Sequence, residues 1–241
     1  MAVNIRRLAR RYDDPVSDAE RVDVDRCEQR RADLLASQEP LGDVFELDTG
    51  KHDVTTVGAE TRTASCPPRK ALFLYRLVRS ARPSLVVEFG SALGISGAYL
   101  ASALRANGTG RLVTVEGSPS RQTIAAESIE SVAPGVTTSI RGFFDDHLDV
   151  LDGAALFFND GNHHADAVLR YAEAAVTRMA KPGLLIVDDV QGYSDEMTAA
   201  WKQLCADRRF SRSLLVDRIG LLSFGQSKRI TPRMFLPSRM S

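Results

Sequence analysis

Between residues 85 and 189 the chain alternates short apolar runs of β type with longer runs of helical spacing, and most of the apolar runs stop at an acid or a glycine. Alternation of this kind predicts a parallel sheet covered by helices, because each parallel connection has to cross over, usually through a helix. The first run is Leu85-Val86-Val87-Glu88-Phe89-Gly90, followed by a small-residue helix that starts at Ile95 and stops at Asn107-Gly108. Residues 111–116 form a second strand, and Ser118-Pro119 opens a helix that Pro134-Gly135 closes. A third strand over 136–141 ends at Gly142, and a fourth, Ala155-Leu156-Phe157-Phe158, ends at Asn159-Asp160-Gly161-Asn162. The next helix puts Ala165, Val168, Leu169, Ala172, Ala175, Val176 and Met179 on one face. The fifth strand, Leu184-Leu185-Ile186-Val187-Asp188-Asp189, is apolar on both sides until its acids. Ser194-Asp195-Glu196 caps a last helix, and β-like segments near 213–217 and 219–224 are too close together for a crossover, so they pair as an antiparallel hairpin.

The flanks read differently. Residues 1–64 are an N-terminal helical appendage or lid, with eight Arg and eight Asp plus Glu among the first 35 and weak apolar spacing. A helix start is expected after Asp14-Pro15. Residues 65–225 are the central α/β domain, and 226–241 are a tail with four basic residues and no acid. The 31 Lys plus Arg balance 31 Asp plus Glu, which argues against a general nucleic-acid or membrane-surface binder. The uncharged stretch 89–104 is interrupted by glycines and serines and is too short for a bilayer span. Cys27, Cys66 and Cys205 lack metal or redox spacing and read as unpaired thiols. With no secretory pattern at the N-terminus, a cytoplasmic protein is expected.

A wound sheet of this kind binds ligand beyond the carboxyl ends of its strands. The residues there are Glu88 and Gly90, Glu116, the stretch from Gly142 to Asp146, Asp160, and Asp188 with Asp189, which together describe an acidic cleft. Glycines at 90, 94 and 97 allow a tight turn and close backbone approach, but Ala92 stands where the dinucleotide fingerprint needs its second glycine. Glu88 suits a cofactor with positive charge, and Glu116 can accept both hydroxyls of a ribose.

The segments E-F-G-S-A-L-G-I-S, V-E-G and I-V-D-D-V resemble those of class I S-adenosylmethionine-dependent methyltransferases over residues 65–224, and among them the catechol O-methyltransferase-like small-molecule enzymes. The resemblance implies a Rossmann-like, seven-stranded, mostly parallel sheet with an antiparallel last strand and helices on both faces. It implies S-adenosylmethionine at Glu88, Gly90, Ser91, Gly94 and Ser96, with its ribose at Glu116, its adenine near Gly142 and Phe143, and Asp160 beside it. By the same resemblance a divalent ion, Mg2+ or another, would sit on Asp160, Asp188 and Asp189, although Asp189 stands where many relatives have Asn. Asp160 and His163 are the catalytic candidates, with His163 near the place of a family lysine that acts as base and His164 as its rival. A hydroxylated small molecule is the expected acceptor, with no nucleic-acid or membrane partner, and the family's habit of pairing implies a homodimer. Three other readings stay open: a metal-free methyltransferase with a His base and an oxygen or nitrogen acceptor, a nicotinamide reductase, and a non-catalytic S-adenosylmethionine-binding protein. His52 and His147 have no assigned role.

Overall fold

The structure, a computed structural model, describes residues 5–45, 52–225 and 235–236. Its centre is a sheet built from β3 (Leu85–Phe89), β4 (Arg111–Glu116), β5 (Thr137–Arg141), β6 (Leu156–Asn159), β7 (Gly183–Val187), β8 (Phe210–Val216) and β9 (Ile219–Phe224). The spatial order is β8-β9-β7-β6-β3-β4-β5, and β9 runs antiparallel to both of its neighbours. This is the expected seven-stranded sheet with a reversed last strand. A two-residue strand, β10 (Phe235–Leu236), lies parallel beside β8 and adds an eighth member at that edge. The rest of the expected basic tail, 226–234 and 237–241, lies outside the described residues.

The two faces follow from the period of two along each strand. Val86, Leu112, Leu156, Phe158 and Ile186 enter one apolar cluster with α4 (Pro68–Ala81) and α5 (Ile95–Asn107). Val87, Val113, Phe157, Leu185 and Val187 enter the other, with α7 (Ala165–Arg178) and α8 (Asp195–Ala206). α6 (Pro119–Val132) sends Ile129 and Val132 to the first cluster. Between β5 and β6 the chain crosses by a 3-10 turn over Phe144–Leu151.

The N-terminal segment differs in detail from the expectation. α1 (Ile5–Ala9) precedes Pro15, and α2 (Asp18–Ala36) begins after Ser17, three residues beyond Asp14. The start signal that wins is the capping box, Ser17 to Glu20, in which the Glu20 carboxylate accepts the Ser17 backbone N–H at 2.9 Å. A short antiparallel pair, β1 (Pro40–Phe45) and β2 (His52–Thr56), interrupts the helices before α3 (Val57–Ala64). The available signal was the β-branched run Val54-Thr55-Thr56, hidden among charged neighbours. Ile5, Leu8, Val24, Cys27, Leu34 and Val57 join the same apolar cluster as α4 and α5. Arg76 of α4 fixes the segment further. Its guanidinium is 3% exposed, pairs with Glu20 at 2.8 Å and donates to the carbonyl oxygens of Arg11, Asp14 and Pro15. The Arg76 hydrogen bond holds the Glu20 carboxyl down at about 2.

Candidate active site

The chain leaves β3 for β4 on one side and returns to β6 on the other, so β3 and β6 flank the point where strand order reverses. A cavity of about 990 Å³ opens there, lined by the ends of β3, β4, β6 and β7 and by residues of α3 and α4. That volume holds a nucleoside cofactor with space for an acceptor.

The loop after β3 forms its floor. Gly90 and Gly94 have φ of 87° and 88°, and Ala92 between them has φ of 45°. A Cβ on Gly90 would run into the Gly161 backbone, and one on Gly94 would lie 2.7 Å from the Ala125 carbonyl oxygen. The close approach that these glycines permit is therefore made first by the chain itself: Gly90 lets the β3 and β6 loops touch, and Gly94 seats α5 on α6. Ala92 tolerates its left-handed backbone while its N–H donates to Glu116 Oε2 at 2.9 Å. The other oxygen of Glu116 accepts the Ser118 N–H at 3.0 Å. Burial raises the Glu116 pKa, and these backbone donors offset part of the rise. A carboxylate has about four acceptor sites, so two ribose hydroxyls can still be received.

Gly90, Ser91, Ser96, Glu116, Phe143, Asp160, His163, Asp188 and Asp189 all line the cavity. Three other expected cofactor residues do not. Glu88 is wholly buried beneath the loop, where it accepts the Thr114 hydroxyl at 2.8 Å and lies against Gly97. Burial pushes its carboxyl up to about 7, partly offset by the Ser96 and Thr114 hydroxyls. Gly94 is turned to α6, and Gly142 is covered by the ring of His147, which explains the one small residue at that turn. Phe143 next to it stays 55% exposed at the cavity edge.

At the ends of β6 and β7, one ligand atom each from Asp160, His163 and Asp188 lie within 4.8 Å of one another. His163 Nε2 is 3.6 Å from Asp160, and its ring stacks on Tyr193 with centroids 4.8 Å apart. His164 is exposed at the N-cap of α7, away from the cavity wall, so of the two histidines only His163 faces it. Asp189 is not part of the cluster. With φ of 51° it turns aside to pair with Arg218 at 3.1 Å.

The residue that sequence reasoning missed is Lys70. It sits in the first turn of α4, lines the cavity, forms an ion pair with Asp188 and stands 4.0 Å from Asp189. Burial works against its charge, but Asp188 and Asp160 outweigh that cost and raise its pKa above the ordinary lysine range. Burial and the neighbouring Asp160 push the Asp188 carboxyl upward in turn, with Lys70 opposing them. The only signal in the sequence was a lysine followed at once by the apolar run Ala71-Leu72-Phe73-Leu74, whose residues are all buried.

The expected magnesium set was three carboxylates. The structure offers two carboxylates and an imidazole, and one of those carboxylates already holds an ammonium, which is a poor match for an ion that prefers oxygen ligands. Of the residues expected to hold the cofactor, Gly90, Ser91, Ser96, Glu116, Phe143 and Asp160 line this one cavity.

The structure has the wound sheet, the glycine loop after β3 and the acid closing β4 that the sequence resemblance implies. A family model described as a methyltransferase domain matches residues 87–190. No curated protein matches the chain. Among solved structures, the O-methyltransferase TomG of tomaymycin synthesis from Streptomyces achromogenes, in complex with S-adenosylmethionine, is similar at 19% identity and TM-score 0.57, covering 68% of this chain and 82% of its own. An O-methyltransferase from Bacillus cereus is similar at 18% identity and TM-score 0.59, over 88% of this chain and 93% of its own. The Podospora anserina methyltransferase PaMTH1 is similar at 15% identity and TM-score 0.63, over 93% of this chain and 97% of its own. At such identities the likeness establishes the fold. No described helix is long and apolar enough to cross a membrane.

Proposed function

We propose that the chain transfers a methyl group from S-adenosylmethionine to a hydroxyl of a small molecule, with His163 as the base. The observation that carries this reading is that one cavity joins the donor wall, Gly90, Ser91, Ser96 and Glu116, to the Asp160 and His163 pair. When bound, S-adenosylmethionine supplies an electrophilic methyl on a positively charged sulfur, which leaves with the C–S bonding pair. His163 takes the acceptor's hydroxyl proton as the oxygen lone pair forms the new C–O bond. Asp160 orients the imidazole and steadies the cation that forms there. The remaining acceleration comes from holding the oxygen in line with the departing sulfur. Arg62, Thr63 and Ala64 at the end of α3 belong to the cavity wall, which supports the reading of the N-terminal segment as part of the acceptor's cover.

The test is mass spectrometry of small-molecule extracts incubated with isotopically labelled donor, with and without chelator. A labelled O-methyl product that disappears in His163→Ala, while donor binding persists, supports the proposal. Donor binding without any labelled product would favour a non-catalytic binding protein instead. A second reading, metal-assisted transfer, draws on the closeness of Asp160, His163 and Asp188, and loss of product in the chelator arm would support it.

A further inference from the structure

We infer that the Lys70 ammonium is the resident cation of the acid cluster, standing where a divalent metal would otherwise bridge Asp160 and Asp188. Its catalytic consequence rests on the methyl-transfer reading, but its occupancy of the cluster does not.

The placement of Lys70 runs against local preference. The first turn of a helix disfavours a cation, because the backbone N–H groups there already present positive charge. α4 has no acid in that turn, so the compensation comes from outside the helix. The partner is Asp188, 118 residues away at the end of β7, and the pair is almost wholly buried, with side chains 11% and 4% exposed. The lysine cannot easily withdraw, since Ala71, Phe73, Leu74 and Leu77 fix α4 in the core. A divalent ion bound by Asp160, His163 and Asp188 would have to share Asp188 with this ammonium and sit beside a like charge. Two of the carboxylates already have cations without it, Asp188 in Lys70 and Asp189 in Arg218.

An ammonium has three N–H donors, and its hydrogen bond to Asp188 uses one. From its place on the cavity wall Lys70 donates another to the acceptor oxygen as His163 removes the proton, stabilising the negative charge that develops before the C–O bond is complete. The part a metal would play, fixing the acceptor oxygen and easing its ionisation, is thereby carried by a side chain.

Titration of the full-length protein with Mn2+, followed by the electron paramagnetic resonance of the free ion, tests the assignment. The wild type and Lys70→Arg keep a cation on Asp188 and should leave the added Mn2+ free. Lys70→Gln removes it and should take up one Mn2+ per chain, and adding Asp188→Asn to that variant should abolish the uptake. Stoichiometric Mn2+ binding by the wild type that is lost in Asp188→Asn would overturn the inference, and this arm does not depend on the folding of any Lys70 variant. So would a Lys70→Gln protein with native circular dichroism and native donor binding that takes up no Mn2+. Absence of methylated product from every protein, with the Mn2+ pattern as expected, would count against the methyl-transfer reading and leave the occupancy of the cluster standing.

Discussion

Replacing Glu88 by Gln should make the protein more stable at neutral and alkaline pH and change little in acid. Glu88 is wholly buried under the loop after β3, and burial raises its carboxyl from an ordinary 4.5 to about 7. A raised carboxyl binds its proton more tightly in the folded chain than in the unfolded one, so its favourable contribution is complete below about pH 4.5. That contribution is lost as pH rises through about 7, where the buried group must ionise. The difference of 2.5 between 7 and 4.5 corresponds to about 3 kcal/mol. Gln removes the ionisation, and its amide oxygen still receives the Thr114 hydroxyl that now donates to Glu88 Oε2 at 2.8 Å. Glu116, Asp188 and Asp189 are also raised, but they are present in both proteins and cancel in the comparison. Urea denaturation at a series of pH values from 5 to 8 measures the outcome. The stability difference should move in favour of Gln by roughly 2 to 3 kcal/mol across that range. Parallel profiles, with a constant offset between the two proteins, would refute the claim that Glu88 is buried against its charge.

Three further outcomes follow from the geometry. Gly90→Val should abolish donor binding in a calorimeter, because its side chain would strike the Gly161 backbone while the turn demands φ of 87°; an unchanged isotherm would contradict the described contact of the two loops. Arg76→Met should destabilise the fold by about 3 to 5 kcal/mol in urea denaturation, since it strands Glu20 and three carbonyl oxygens that the guanidinium now satisfies. A loss within a few tenths of a kcal/mol would show that the N-terminal helices are held by apolar contacts alone. His163→Ala should lower turnover by about 10² to 10⁴ with donor affinity retained, whereas His164→Ala, on an exposed cap, should leave turnover within about twofold; equal losses would remove the distinction between them.

The sheet was legible because its causes are local and periodic. The five apolar runs that begin at Leu85 have alternate residues that must face helices on both sides, and Ser118-Pro119, Ser194 and Asn107-Gly108 stop or start helices by their own backbone chemistry. The acids at the strand ends could be placed for the same reason, since a strand's last residue is fixed by the run before it. The N-terminal pair β1 and β2 was missed because a short half-polar hairpin has no strong period, and Ser17 outcompeted Asp14-Pro15 because a capping box satisfies two backbone groups where a lone Asx turn satisfies one.

The amino-acid order thus determined the wound sheet, its glycine turn and the row of carboxylates along one edge. Which of them meet was decided in three dimensions. Glu88 went under the loop, Asp189 turned to Arg218, and His163 rather than His164 reached the cavity. Lys70 came from a helix before the sheet to a carboxylate at its far end. Periodicity reports which face of an element is apolar, but a charge pair across 118 residues is set by how helices and strands stack, and no local pattern encodes that distance.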